Sequence, residues 1–423
     1  MKRKFRQWKV LFLLLFTGIT MSFCVQNKND IENKLSSEIV QDLKGNILPF
    51  WEKYSVDIHG GFYGALAFDG TPIDKADKGC VMNARILWTF SSAYRILEDS
   101  QFLDLANRAQ RYFIDHFIDK DQGGTYWSLN ADGTPKDTDK QTYGIAFAIY
   151  GLSEHYRATQ NQESLNEAIA LYHCLETRAF DPTYGGYIES FTRDWEKSER
   201  YGYDGTGVSS KTMNTHIHVL EAYTNLYRVW KDEGLRKQLK ALTEIMIGKI
   251  YNSTTHHLML FFNDKWKSLE NIDSYGHDIE TSWLLTETAC VLNDAGLKER
   301  TEKIAIDMVN TAMEEGMNSD GSLIYERNRD HFRRDLSWWC QVETVNGLLN
   351  AWHISGDPKY LDASFCTWNW IKKTMIDSTY GEWYSTVFEN GKADVKGFKS
   401  SMWRCPYHNS RMGFRMIDPD EQK

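Results

Sequence analysis

Asp57-Ile-His-Gly-Gly-Phe-Tyr63 returns as Asp181-Pro-Thr-Tyr-Gly-Gly-Tyr187, and the recurrence of this phrase decides the fold. Further copies read Asp121-Gln-Gly-Gly-Thr-Tyr126 and Asp377-Ser-Thr-Tyr-Gly-Glu-Trp-Tyr384. Asp320-Gly-Ser-Leu-Ile-Tyr325 is a weaker copy, and His256-His-Leu-Met-Leu-Phe-Phe262 stands where a degenerate one belongs. The phrase recurs at intervals of about 60 to 70 residues, which gives six units. Asp/Gly turn residues followed by an aromatic extended piece spell a short hairpin. Two copies are followed by a second turn, Asp69-Gly-Thr-Pro72 and Asp132-Gly-Thr-Pro135.

Between phrases the periodicity becomes helical. Ile86, Leu87, Phe90 and Tyr94 recur at three- and four-residue steps, as do Ile145, Ile149, Leu152 and Tyr156, and Leu220, Tyr223 and Tyr227. Stretches 279–292, 342–352 and 360–374 behave likewise. A repeat of helices and a hairpin cannot bury its apolar face alone and must stack on its neighbours. No capping repeat is visible, so the sequence predicts closure: an all-α (α/α)6 barrel, or toroid, with short β-hairpins in the rim loops. One barrel domain is expected over 36–418, with its cleft on the ring axis.

Composition agrees with a large core: 42% of residues are hydrophobic and only 7 of 423 are Pro. The 15 Trp and 22 Tyr fit either that core or a cleft in which flat rings stack on sugars. Net charge is −9, and no basic stripe lies beyond the first residues, which excludes a nucleic-acid partner. The N-terminus differs from the rest. Lys2, Arg3, Lys4, Arg6 and Lys9 precede an apolar run, Val10 to Ile19, and Cys24 ends the segment. Residues 1–24 read as an export signal, of a type that can be lipidated at Cys24, although Phe23 departs from the small residue such signals prefer. A polar linker is expected at 25–35, and the protein is expected in the periplasm or on a membrane through that lipid alone, as a monomer. The remaining six Cys are scattered and read as mostly buried free thiols rather than a disulfide frame.

Two segments share one grammar. Met213-Asn214-Thr-His216-Ile-His218-Val-Leu-Glu221 and Ser274-Tyr-Gly-His277-Asp-Ile-Glu280 each hold His-x-x-Glu at the head of a helix. A three-residue step puts both side chains on one face, where the Glu can accept from one imidazole nitrogen and leave the other as acid or base. His216 points elsewhere and reads as structural. A third histidine, His408, follows Pro406 at the start of another expected helix. Arg85, among apolar helix residues, reads either as a structural ion-pair partner or as a cation on the axis that stabilises an enolate-type oxyanion. His-x-His and His-x-x-Glu can ligate zinc, but no compact ligand cluster occurs and proton transfer needs neither metal nor cofactor, so none is expected.

On Lys78 to Trp88, Met213 to Arg228, Ser274 to Trp283, Leu336 to Glu343 and Trp403 to His408, the chain resembles the N-acylglucosamine 2-epimerase family, and within it the branch acting on β-1,4-linked disaccharides. The resemblance implies the same (α/α)6 barrel. It also implies ring opening of a reducing-end sugar, loss of the C2 proton to a cis-enediolate, and reprotonation on the opposite face. In that scheme His277 and His408 match the acid/base pair, His218 a third essential histidine, and Arg85 the arginine at the oxyanion. Tyr143, Asn214, Glu221, Glu280, Tyr325, Trp339 and Trp403 are the expected substrate-binding residues. Cellobiose and mannobiose are both credible substrates. An aldose–ketose isomerase would use the same enediolate. A glycoside hydrolase would need two carboxylates flanking the bond. A non-catalytic glycan-binding lipoprotein would need no His-x-x-Glu elements.

Overall fold

The computed structural model describes residues 28–198 and 209–418; the leader at 1–24 lies outside the described residues. The linker expected at 25–35 does not extend through its described part. Residues 28–54 form a continuous helix (α1), in which Leu35 is fully buried and Glu32 binds Trp352 Nε1 and His353.

Among the described residues eleven further helices follow in alternating roles. The inner layer is α2 (Cys80–Leu97), α4 (Thr142–Thr159), α6 (Met213–Val229), α8 (Tyr275–Leu292), α10 (Trp338–Ser355) and α12 (Tyr407–Ile417). The outer layer is α1 with α3 (Ser100–Tyr112), α5 (Gln162–Cys174), α7 (Glu233–Ile245), α9 (Ala295–Glu315) and α11 (Pro358–Trp370). Each inner helix packs on the next, and α12 packs on both α10 and α2, so the ring closes. Six helix pairs make the (α/α)6 barrel read from the repeat. Among the described residues no helix is long and apolar enough to cross a membrane.

The two layers have different sequences because they see different surroundings. Inner helices are buried all round; in α2 every residue from Cys80 to Ala93 is buried. Outer helices bury one stripe, such as Leu235, Leu239 and Leu242 of α7. The turn from inner to outer helix is nearly constant. Glu98, Gln160, Asn293 and Gly356 adopt left-handed backbone, and the next residue, Asp99, Asn161, Asp294 or Asp357, caps the outer helix by accepting from its first N–H groups.

All six hairpins are present, marked by antiparallel bridges Val56–Phe62, Ile118–Thr125, Phe180–Tyr187, Tyr251–Leu258, Met317–Leu323 and Ile376–Trp383. The residue after each first bridge is Asp57, Asp119, Asp181, Asn252, Asn318 or Asp377, so in the second unit the equivalent residue is Asp119 and not Asp121. Each of the four Asp residues receives a buried lysine: Lys78 at 2.5 Å, Lys140 at 2.7 Å, Lys211 at 2.7 Å and Lys399 at 2.8 Å. Asn replaces Asp in the fourth and fifth units, and among the described residues no lysine comes to either Asn. There a wider hairpin, Glu326–Asn328 with His331–Arg333, pairs with Ile272–Asp273 instead. The six cysteines among the described residues are free; Cys80, Cys340 and Cys405 are buried, while Cys174, Cys290 and Cys366 are half-buried.

Candidate active site

The N-cap residues of the inner helices, Gly79, Gln141, Thr212, Ser274, Ser337 and Pro406, align the six units. Six residues beyond each cap stand Arg85, Phe147, His218, Glu280, Glu343 and Met412, all buried. Two residues beyond each cap stand Val81, Tyr143, Asn214, Gly276, Trp339 and His408. A polar ring on the axis of a helical toroid is costly to bury, and buried polar groups persist there only when hydrogen-bonded to each other or to a ligand.

At the caps' end of the axis lies a cavity of about 300 Å³. Its wall includes Arg85, Tyr143, Asn214, His218, His277, Glu280 and His408. Tyr325, Trp338, Trp339 and Trp403 add aromatic faces, and Trp403 is 39% exposed at the mouth. Ten of the eleven residues expected from sequence therefore meet at one cavity. The exception is Glu221, which stands behind His218 and does not line it.

The three histidines reach the cavity from three helices. His218 donates from Nδ1 to Glu221 Oε2 at 3.0 Å, and its ring packs on Phe147 and Tyr143 with centroids 4.6 and 5.0 Å away. His408 donates from Nδ1 to Glu343 Oε1 at 2.7 Å. A carboxylate can only accept, so both rings carry the proton on Nδ1 and leave Nε2 with a lone pair. The pair read from His277-Asp-Ile-Glu280 is not formed. His277 Nδ1 lies 2.7 Å from Ser274 Oγ, and Glu280 turns instead to Arg411 Nη2 at 3.0 Å. The reason is register: His218 stands six residues past its cap, whereas His277 stands three past its own, so Glu280 occupies the ring position of His218 rather than that of Glu221. The indole of Trp339 lies 4.7 Å from the His277 ring and 5.7 Å from that of His408. Gly276 leaves room for it, since a Cβ there would meet Cys340 Sγ at 2.6 Å and the Trp339 ring at 2.8 Å.

Burial sets the protonation states. It depresses His218 to about 4, against the upward pull of Glu221. It depresses His277 and His408 to about 3, helped at His277 by the other two histidines and at His408 by Arg85 and Arg411. All three are neutral near pH 7 and able to take a proton. Burial and then the neighbouring Glu343 push Glu280 up to about 8, so it holds a proton at pH 7. Burial raises Glu343 less than Arg411 and His408 lower it, and it stays ionised. Arg85 donates to Tyr143 Oη at 3.0 Å and lies over the Phe147 ring at 4.2 Å. It is a cation facing the cavity, as the axial reading required. His216, expected to be structural, binds Thr212 O and the Tyr187 N–H.

Sequence reading missed Glu343, Tyr407, Arg411, Trp338, Arg333 and Asp335. A lone Glu in the apolar run after Trp339 and the spacing His408-x-x-Arg411 were the available signals for two of these. Arg333 and Asp335 arrive from the wider hairpin, which nothing local foretells. Glu280, Glu343 and His408 bring possible ligand atoms within 4.8 Å of one another. The Arg411 guanidinium already sits between the two carboxyl groups, at 3.0 and 2.8 Å, and His408 donates into the same Glu343 oxygen. The donors are thus engaged by a resident cation and do not suit a metal. His218 and His277 are not part of that cluster.

The chain belongs to the N-acylglucosamine 2-epimerase family, whose family model matches residues 61–408. Within it the chain is 45% identical over 387 residues to the cellobiose 2-epimerase of Bacteroides fragilis, covering 90% of this chain and 98% of that one. It is 39% identical over 385 residues to the cellobiose 2-epimerase of Ruminococcus albus, with coverages of 90% and 98%. The solved cellobiose 2-epimerase of Bacillus thermoamylovorans superposes with a TM-score of 0.88 at 39% identity, over 91% of this chain and 99% of that one.

Proposed function

We propose that this protein is an isomerase that inverts C2 of the reducing-end sugar of a β-1,4-linked disaccharide, cellobiose or mannobiose. The observation that carries the reading is the meeting of three neutral imidazoles and one cation at a single cavity of about 300 Å³, in a chain whose relatives are cellobiose 2-epimerases. Inversion at one carbon by proton transfer needs a base on each face, and a sugar lying between His277 and His408 would have one Nε2 on each side. One takes the C2 proton; its electron pair forms the C1=C2 bond while the C1=O π pair moves onto O1, giving a cis-enediolate; the other takes up a proton from solvent and delivers it to the opposite face of C2 as the C1 carbonyl re-forms. Arg85 and Tyr143 face the charge that develops on oxygen. His218, fixed by Glu221, handles the O1 proton during ring opening. Trp339 and Trp403 stack on the sugar faces.

Export through the leader and lipidation of Cys24 belong to the same proposal, and they change where the reaction happens, not how. The test is incubation with cellobiose, mannobiose and mannose in D2O. Deuterium on C2 of an epimerised disaccharide is expected. Ketose as the main product would make the protein an aldose–ketose isomerase, and sugar binding without exchange would make it a binding protein.

A further inference from the structure

We propose that Arg411 is a positioning residue that serves as the shared counterion of the carboxylates orienting His218 and His408, so that the two imidazoles act as one electrostatic unit. The inference rests on the acid/base roles proposed above. Arg411 is buried on α12, one turn below His408, and does not line the cavity. Its Nη1 donates to Glu221 Oε1 and contacts Tyr407 Oη. Its Nη2 donates to Glu280 Oε1 at 3.0 Å and to Glu343 Oε1 at 2.8 Å. Glu221 then holds His218 through its other oxygen, Oε2, at 3.0 Å, and Glu343 holds His408 at 2.7 Å.

One guanidinium thus meets three carboxyl groups from three inner helices. The planar fork of arginine presents its donors to all three from two nitrogens in fixed geometry, whereas a lysine would bring one compact point charge on a flexible stem. The charged and titratable groups around it are Glu221 of α6, Glu280 of α8, Glu343 of α10 and Tyr407 of α12, with Tyr150 of α4 and Arg85 of α2 beyond Tyr407. Arg415, a turn further on, faces Glu287 at 3.6 Å. One cation cannot balance three ionised carboxylates in a dry site, so one must stay protonated, and that one is Glu280, which lies 3.9 Å from His408 Nδ1 and, among the described residues, makes no hydrogen bond to a histidine.

Without the cation, Glu221 and Glu343 become harder to ionise, and a protonated carboxyl group no longer enforces the Nδ1–H tautomer. Their carboxyl pKa values rise, so the pH above which the site works rises with them. Arg411→Met is expected to lower kcat for cellobiose about 100-fold, with KM within about threefold, and to move the acidic limb of kcat/KM upward by about one pH unit or more. Arg411→Lys recovers part of both changes. A folded variant with an unmoved limb would overturn the proposal and leave Arg411 a packing residue. Should neither variant fold, Glu221→Gln, Glu343→Gln and their double variant keep Arg411 in place. A double loss departing from the product of the single losses by more than about threefold supports a shared counterion; a smaller departure overturns it. His408→Asn is assayed alongside, and if it turns over at the wild-type rate the acid/base reading fails, whatever Arg411 does.

Discussion

His218–Glu221 and His277–Glu280 share a spacing and a place at the head of an inner helix, yet only the first is a hydrogen-bonded pair. A three-residue step puts two side chains on one face of a helix wherever it occurs. What the pair then does depends on where that face lies relative to the ring. His218 is one turn into α6, so Glu221 falls below the cavity, where Arg411 stabilises its ionised form. His277 lies in the first turn of α8 and meets the cap hydroxyl of Ser274, while Glu280 comes up to the cavity wall and is pushed toward its neutral form. The same letters thus yield an ionised orienting group in one unit and a neutral wall residue in the next.

The largest effects are expected at the histidines. His277→Asn and His408→Asn should each lower kcat for interconversion about 10³-fold, within the range that general acid–base catalysis contributes, with KM changed only a few-fold. If the two rings serve opposite faces, each variant retains exchange of the C2 hydrogen with D2O from one epimer while losing inversion. Equal loss of exchange from both epimers in both variants would place the rings on one face.

The two glutamates separate next. Glu221→Gln removes an ionised partner and is expected to cost 10- to 100-fold in kcat, roughly the worth of orienting one acid/base group. Glu280→Gln replaces a neutral carboxyl group by a neutral amide and should stay within about tenfold of wild type. It should also remove the alkaline limb of the pH–rate profile, which is expected near 8 as Glu280 ionises beside the negative enediolate. The acidic limb belongs near 4, where His218, the highest of the three depressed histidines, begins to protonate. Histidines depressed below 6.5 in the folded protein also lower stability as the pH falls from about 6.5 toward 3, because the unfolded chain takes up protons first. Initial rates are therefore to be paired with melting curves at each pH.

The barrel was legible because its repeat is written in turn chemistry. Asp57, Asp181 and Asp377 open tight turns, and those positions tolerate little else while a buried lysine depends on them. The fourth unit was still placed correctly because its aromatic strand, Phe261–Phe262, survives without the Asp. Two of the histidines were legible because the same His-x-x-Glu spacing opens two helices one repeat apart. Glu343 and Arg411 were not, because their value comes from partners 65 and 190 residues away, His408 and Glu221. Nor could chain spacing reveal that His277 is shifted by three residues within its helix, since register relative to the ring appears only when the six caps are aligned.

The smallest expected effect tests the weaker half of the comparison. Ser274 Oγ lies 2.7 Å from His277 Nδ1, but a hydroxyl can donate or accept and so does not dictate the tautomer as a carboxylate does. A net hydrogen bond of about 1 kcal/mol corresponds to roughly a fivefold change, and Ser274→Ala should reduce kcat by about that factor. Its loss should thus fall below that of Glu221→Gln, because Trp339, 4.7 Å from the His277 ring, still restrains the imidazole. A loss from Ser274→Ala as large as that from Glu221→Gln would mean that the cap hydroxyl performs in the fourth unit the task that the glutamate performs in the third. The difference between the two segments would then be one of partner and not of role.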